Sequence, residues 1–182
     1  MRSGLAFDRC DIGVVLNVAA DHLGLGGIDT IEQMARVKSV IAETVHSEGY
    51  AILNADDPLV AAMAEQVNCK VAYFSMNPDN PIIIEHCRRN GLAAIYEHGY
   101  LSILEGKWTL RIEKAEKIPM TMGGMAPFMI ANALASSLAA FAQGVDIELI
   151  RKGVRTFQIS AEQIPGRMNL FDLGDYHALV DY

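Results

Sequence analysis

Asp21, His22 and Lys38 are the residues whose types and spacing point first to chemistry. Asp21 and His22 come just after an apolar run at residues 12–18, Ile-Gly-Val-Val-Leu-Asn-Val. A run of that kind fits a strand covered on both faces in a parallel sheet. In open α/β sheets, ligands sit in the crevice beyond the carboxyl ends of the strands, so the pair lies where a site is expected. Imidazole binds metals, and Asp offers a hard oxygen suited to magnesium. Taken alone, the two residues read as a turn cap and an ordinary loop histidine.

Lys38 shifts that balance. Residues 31–46 read as a helix, with Asp29 or Thr30 as its N-cap and Gly49 closing it. Ile31, Met34, Lys38, Ile41 and Val45 fall on one face, flanked by Ala35 and Ala42. Glu32, Gln33, Arg36, Ser39 and Glu43 fall on the other. Lys38 therefore points toward the core, where an ammonium ion is costly unless paired or chemically altered. The bland alternative is snorkelling, with the stem on apolar surface and the charge in water. Asp21-His22 upstream and a Gly-rich connector at 23–27 that permits close backbone approach make a polar site the expectation.

Two further residues are candidates. Asn132 lies in an otherwise apolar helix, where a buried amide needs partners. It either ties down a loop or reads a ligand's hydrogen-bonding edge. Arg167, in Pro-Gly-Arg-Met, lies between helical and strand-like segments, as a surface arginine or as an anion contact at a domain junction. A phosphate loop of the form GxxxxGK followed by Ser or Thr is absent, as is GxGxxG. Gly123-Gly124 before Pro127 reads as a turn that starts a helix rather than an anion cradle.

The elements that must position these residues follow an α/β rhythm. Strands are expected at 12–18, 50–54 and 70–75, with helices at 31–46 and 57–67 between them, the βαβαβ pattern of a parallel sheet. A short helix at 81–89 precedes three runs, 92–96, 100–104 and 108–112, that read as a small antiparallel meander. Residues 127–143 form an apolar, buried helix and 146–157 an amphipathic one capped by Asp146. After a linker at 160–165, strand-like runs at 168–173 and 176–181 flank Gly174-Asp175. The chain stops at the apparent end of a strand, and the natural protein is expected to continue.

The chain's 182 residues are 51% hydrophobic, enough for one sizeable core. Its net charge of −7 argues against nucleic acid or an anionic membrane as partner. The three cysteines are scattered and lack a CxxC pair, which fits reduced thiols in the cytoplasm.

The motifs together resemble the Mur ligases and folylpolyglutamate synthetases. Residues 17–23 resemble their NxxxDHLD motif, 35–38 their AxxK segment and 54–57 their NADD strand end. Residues 132–135 resemble the second half of HNxxNALAA, 165–168 the PGRME junction and 180–182 the opening of VDYAH. These matches run in the same order from Asn17 to the last residue. The wording of 2–11 and 165–171 is closer still to one branch, whose enzymes build a polymer with an aspartate backbone and arginine side groups.

The resemblance implies a Mur ligase central-domain-like parallel sheet flanked by helices, lacking the phosphate-loop unit. It implies residues 1–159 as part of the ATPase domain, and 160–182 as linker and start of the C-terminal domain. It implies an ATP-dependent acid–amino-acid ligase forming an acyl phosphate and ADP, here joining arginine to aspartate side-chain carboxylates. Lys38, commonly carbamylated in the family, and His22 would be catalytic and would bind Mg2+, with help from Asp21. Asn132 would contact adenine, Arg167 the phosphates and Asp181 the ribose. A homo-oligomeric full-length protein is compatible with this.

The departures are specific. Gly24 replaces the last acid of DHLD, Phe128-Met129 replace the HN pair, and neither the phosphate loop nor an acidic magnesium ligand precedes Asp21. The chain alone is therefore expected to be inactive. The alternatives are a non-catalytic nucleotide-binding or packing α/β module, and a peptidoglycan-precursor or folate glutamate ligase with another substrate.

Overall fold

A computed structural model of the chain describes residues 7–20, 23–24 and 26–181. Six strands form one sheet in sequence order: β1 (Cys10–Val15), β2 (Val45–Asn54), β3 (Lys70–Ser75), β4 (Leu92–Glu97), β5 (Tyr100–Glu105) and β6 (Trp108–Lys114). The first four pair in parallel and the last two antiparallel. The predicted antiparallel meander is present as β4–β6 and continues the parallel half of the same sheet. Its first strand, β4, completes the parallel half and starts the antiparallel one.

The crossovers between parallel strands are α1 (Ile31–Glu43), α2 (Pro58–Ala61) with a 3-10 turn at Ala62–Gln66, and α3 (Pro81–Arg88). Met34, Ala42, Val60, Met63 and Ile83 of these segments share a core with Ala51, Leu53, Tyr73, Ala93 and Ile95 of the sheet. The alternate strand residues Ile52, Ala72, Phe74 and Ala94 form the opposite core with α4 (Pro127–Ala142) and α5 (Ile147–Thr156). The chain is therefore a three-layer sandwich. All three crossovers lie on one face because successive strands step the same way and βαβ units share one hand. Each large core side chain, such as Phe74 or Leu134, contributes about 1.5–3 kcal/mol by leaving water.

Several boundaries differ from expectation. The N-cap is as expected, since of the two candidates Thr30 caps α1, and Gln33 completes a capping box by accepting from the Thr30 amide. The helix ends at Glu43, and β2 starts before Gly49, because Val45 pairs with Cys10. Gly49 is not a helix terminator. A Cβ there would lie 2.2 Å from the Asp11 carbonyl oxygen, so the position requires glycine for close strand approach. The helix expected over 57–67 tightens to 3-10 geometry after Ala61. Ser39 was assigned to the solvent face but is buried, donating to the Arg36 carbonyl and to Glu43.

The last two strands, β7 (Asn169–Asp172) and β8 (His177–Val180), form a separate antiparallel hairpin. No helix among the described residues is long and apolar enough to cross a membrane.

Candidate functional site

The carboxyl end of β1 is fixed by side chains from three other segments. The Leu16 carbonyl accepts from Asn54 Nδ2 at 2.8 Å, and the Asn17 carbonyl accepts from Lys38 Nζ at 2.7 Å. The Val18 amide donates to Asp57 Oδ2 at 2.6 Å. Asp57 also caps α2 by accepting from the Leu59 and Val60 amides. Its neighbour Asp56 accepts from Ser75 Oγ, the Met76 amide and Asn80 Nδ2. The Asn-Ala-Asp-Asp segment is therefore a connector. It ties the ends of β1 and β3 and the cap of α3 to the end of β2.

Lys38 sits half-buried at this end of the sheet. Its ammonium group neither enters the apolar core nor extends into bulk water, but is held by a backbone carbonyl of the segment leading to Asp21-His22. Asp21 and His22 themselves lie outside the described residues. Among the described residues, no three His, Cys, Asp or Glu side chains form a group able to hold a metal ion. The three cysteines are free and half-buried, and burial pushes the Cys69 and Cys87 thiols up.

Asn132 and Arg167 line one cleft of about 610 Å³ on the opposite side of the sheet, between α4, α5 and the segment that follows α5. Its walls are apolar, from Met129 and Ala140 of α4, Leu149 and Val154 of α5, and Phe157 and Ile164 beyond. Among the described residues the Asn132 amide reaches only Met129 Sδ, at a long 3.7 Å. Most of its hydrogen-bonding capacity is thus uncommitted on an apolar wall. Asp181 joins the group through the backbone, its Oδ1 accepting from the Met168 amide at 3.3 Å. Asn132 and Arg167 therefore share the cleft wall, whereas Asp181 is not among the residues that line it.

Sequence reasoning missed what builds this cleft. Helix α5 is latched to β6 by Arg155 donating to the buried Glu113, and by Arg151 donating to the Arg111 carbonyl at 2.6 Å. Burial pushes the Glu113 carboxyl up, but hydrogen bonds from the Lys114 amide and Arg155, with the charges of Arg155 and Lys117, outweigh it and hold the group below its ordinary value. Ser137 also lines the cleft, with a buried Oγ that lacks a hydrogen-bond partner. A polar residue in the apolar stretch of α4 was the available signal for it, as it was for Asn132. Gly123-Gly124 is a turn as expected: Thr121 accepts from the Gly124 and Ala126 amides, leaving them no anion to bind.

Residues 3–140 match the Mur ligase middle domain. A cyanophycin synthetase from Crocosphaera subtropica is 79% identical over all 182 residues, and one from Synechocystis sp. is 78% identical; the chain spans 21% of the length of each. A UDP-N-acetylmuramoylalanine–D-glutamate ligase from Caldanaerobacter subterraneus is 31% identical over 82% of the chain and 29% of its own length. MurF from Acinetobacter baumannii shares the fold with a TM-score of 0.61 at 20% identity, over 94% of this chain and 33% of that one. With the model of this family matched over residues 3–140, the chain belongs to the Mur ligase middle domain family.

Proposed function

We propose that this chain is the nucleotide-binding part of an ATP-dependent ligase that joins an amine to a carboxylate through an acyl phosphate, releasing ADP. The substrates in this proposal are arginine and the side-chain carboxylates of a polymer with an aspartate backbone. The observation that carries it is that Asn132 and Arg167 line one apolar cleft, with Asp181 bonded to the residue that follows Arg167. The likeness to cyanophycin synthetases supports the choice of substrate.

In this reading the cleft excludes water from a flat base, and the uncommitted Asn132 amide reads the base's hydrogen-bonding edge. The planar Arg167 guanidinium binds phosphate oxygens, and the Asp181 carboxylate accepts from ribose hydroxyls. Bound magnesium would neutralise charge on the transferring phosphoryl group. Lys38, once carbamylated, would be one of its ligands with His22 and Asp21. In the amine form Lys38 positions the Asn17 carbonyl and the segment beyond it. The division at residues 159 and 160, between ATPase domain and the start of the next, and a cytoplasmic location belong to the same proposal.

These 182 residues contain no GxxxxGK segment followed by Ser or Thr, so the proposal is binding without turnover by these residues alone. Calorimetry of the purified chain with ATP and magnesium chloride tests it. Binding is expected, weakened about tenfold by Arg167→Ala through loss of a charged phosphate contact. No heat of binding in the wild type overturns the reading. Amide formation by the chain alone, given ATP, magnesium and both substrates, overturns the claim that it does not turn over.

A further inference from the structure

Asn169 stands out in its surroundings. It opens β7 in a hairpin whose other residues are mostly exposed, yet it is 2% exposed itself. Its amide makes three backbone contacts. Oδ1 accepts from the Gly166 amide at 2.6 Å, and Nδ2 donates to the Ile164 carbonyl at 3.0 Å and to the Arg167 carbonyl at 3.1 Å. Both faces of the amide are therefore spent on the turn that carries Arg167.

That turn has a costly shape. Gly166 has φ 74° and Met168 has φ 49°, so left-handed residues flank Arg167 on both sides. The conformation costs glycine little but is unfavourable for methionine, and it persists only where surrounding contacts over-determine it. Asn169 supplies three of those contacts, and Asp181, accepting from the Met168 amide, supplies a fourth. Ile164 and Arg167, whose carbonyls Asn169 holds, both line the cleft.

We propose that Asn169 is a positioning residue. Its amide clamps the 164–168 turn so that Arg167 faces the cleft in advance of its ligand. This rests on the nucleotide reading of that cleft. A preset arginine avoids the ordering cost that a mobile one would meet on binding. Asparagine suits the task because one planar group both accepts and donates. In Asn169→Asp the carboxylate still accepts from Gly166 but faces the Ile164 and Arg167 carbonyls with no proton to give.

The test is a double-mutant cycle on the full chain, read by calorimetry with ATP and magnesium chloride. The four proteins are wild type, Asn169→Asp, Arg167→Ala and the double variant. A clamp acting through Arg167 weakens binding about tenfold in Asn169→Asp, with little further loss once Arg167 is already alanine. An equal loss with and without Arg167 overturns the proposal, because the residue would then matter only to the hairpin. Unchanged binding in Asn169→Asp overturns it as well. If Asn169→Asp does not fold by circular dichroism, Asn169→Ser, which keeps a shorter donor, is judged by the same non-additivity. Absence of binding in the wild type removes the nucleotide reading and this proposal together, whereas wild-type binding with additive losses removes this proposal alone.

Discussion

Lys38 Nζ lies 2.7 Å from the Asn17 carbonyl oxygen, so a helix side chain crosses to the end of the neighbouring strand and holds its backbone. The contact explains how a charged residue occupies the inward face of α1. The stem lies along the helix–sheet interface while the ammonium finds an acceptor where β1 stops. Lys38→Met keeps the stem and removes the donor, leaving the carbonyl of the exposed Asn17 to water. A loss of about 1 kcal/mol is expected in urea unfolding, with faster amide exchange at Val18. Unchanged stability and exchange would show that the contact is incidental.

Asp57 holds the same segment from the other side while capping α2. Asp57→Ala removes both functions and is expected to cost about 2 kcal/mol. Asp57→Ser restores a cap oxygen on a side chain too short to serve Val18 as well, so it should recover about half of that loss. Chemical denaturation of the three proteins checks the order, and equal losses in the two variants would mean that the cap contributes nothing.

Much of the sheet was readable because strand and helix periods differ. The runs at 70–75 and 100–104 and the cap of α5 at Asp146 followed from local pattern. What the pattern could not carry was pairing. Val45 joins β2 because Cys10 is there to receive it, and β4 completes the parallel half because β3 lies beside it. Ser39 was misassigned because α1 is covered twice, by the sheet and by the 58–66 segment, and a single apolar stripe describes only one cover. Asn132 and Arg167 could each be singled out by type, but their meeting depends on how α5 folds back on α4. Asn169 is illegible in the sequence because its importance lies in three backbone partners that no spacing reveals.

The Glu113–Arg155 latch gives stability a pH dependence of known sign. The folded carboxyl titrates below its ordinary value of 4.5, so in mild acid the unfolded chain binds more protons than the folded one. The latch's contribution is complete above about pH 4.5 and disappears as pH falls through the folded value. Glu113→Gln is expected to be less stable than wild type at pH 7, with the gap closing in acid. Urea midpoints at pH 7, 5 and 4 measure it, and a gap that widens in acid would contradict the assignment.

His86 works in the same direction over a higher range. Its ring is packed edge-on against Tyr73, with centroids 5.0 Å apart, and Nε2 contacts the Leu92 carbonyl at 3.2 Å. Burial lowers its pKa from 6.5 and is assisted by the Arg89 charge, while contacts with the Leu92 and Val71 carbonyls oppose the shift only in part. The folded state therefore favours the neutral ring. Its contribution is whole above pH 6.5 and declines as pH falls through the lowered value. His86→Phe keeps an aromatic ring beside Tyr73 but loses the hydrogen bond and the titration. It should be about 1 kcal/mol less stable at pH 8 and approach wild type by pH 5. Unfolding midpoints at pH 8, 6.5 and 5 decide the matter. Parallel curves would place the titrating group elsewhere, because the other histidines are present in both proteins and cancel in the difference.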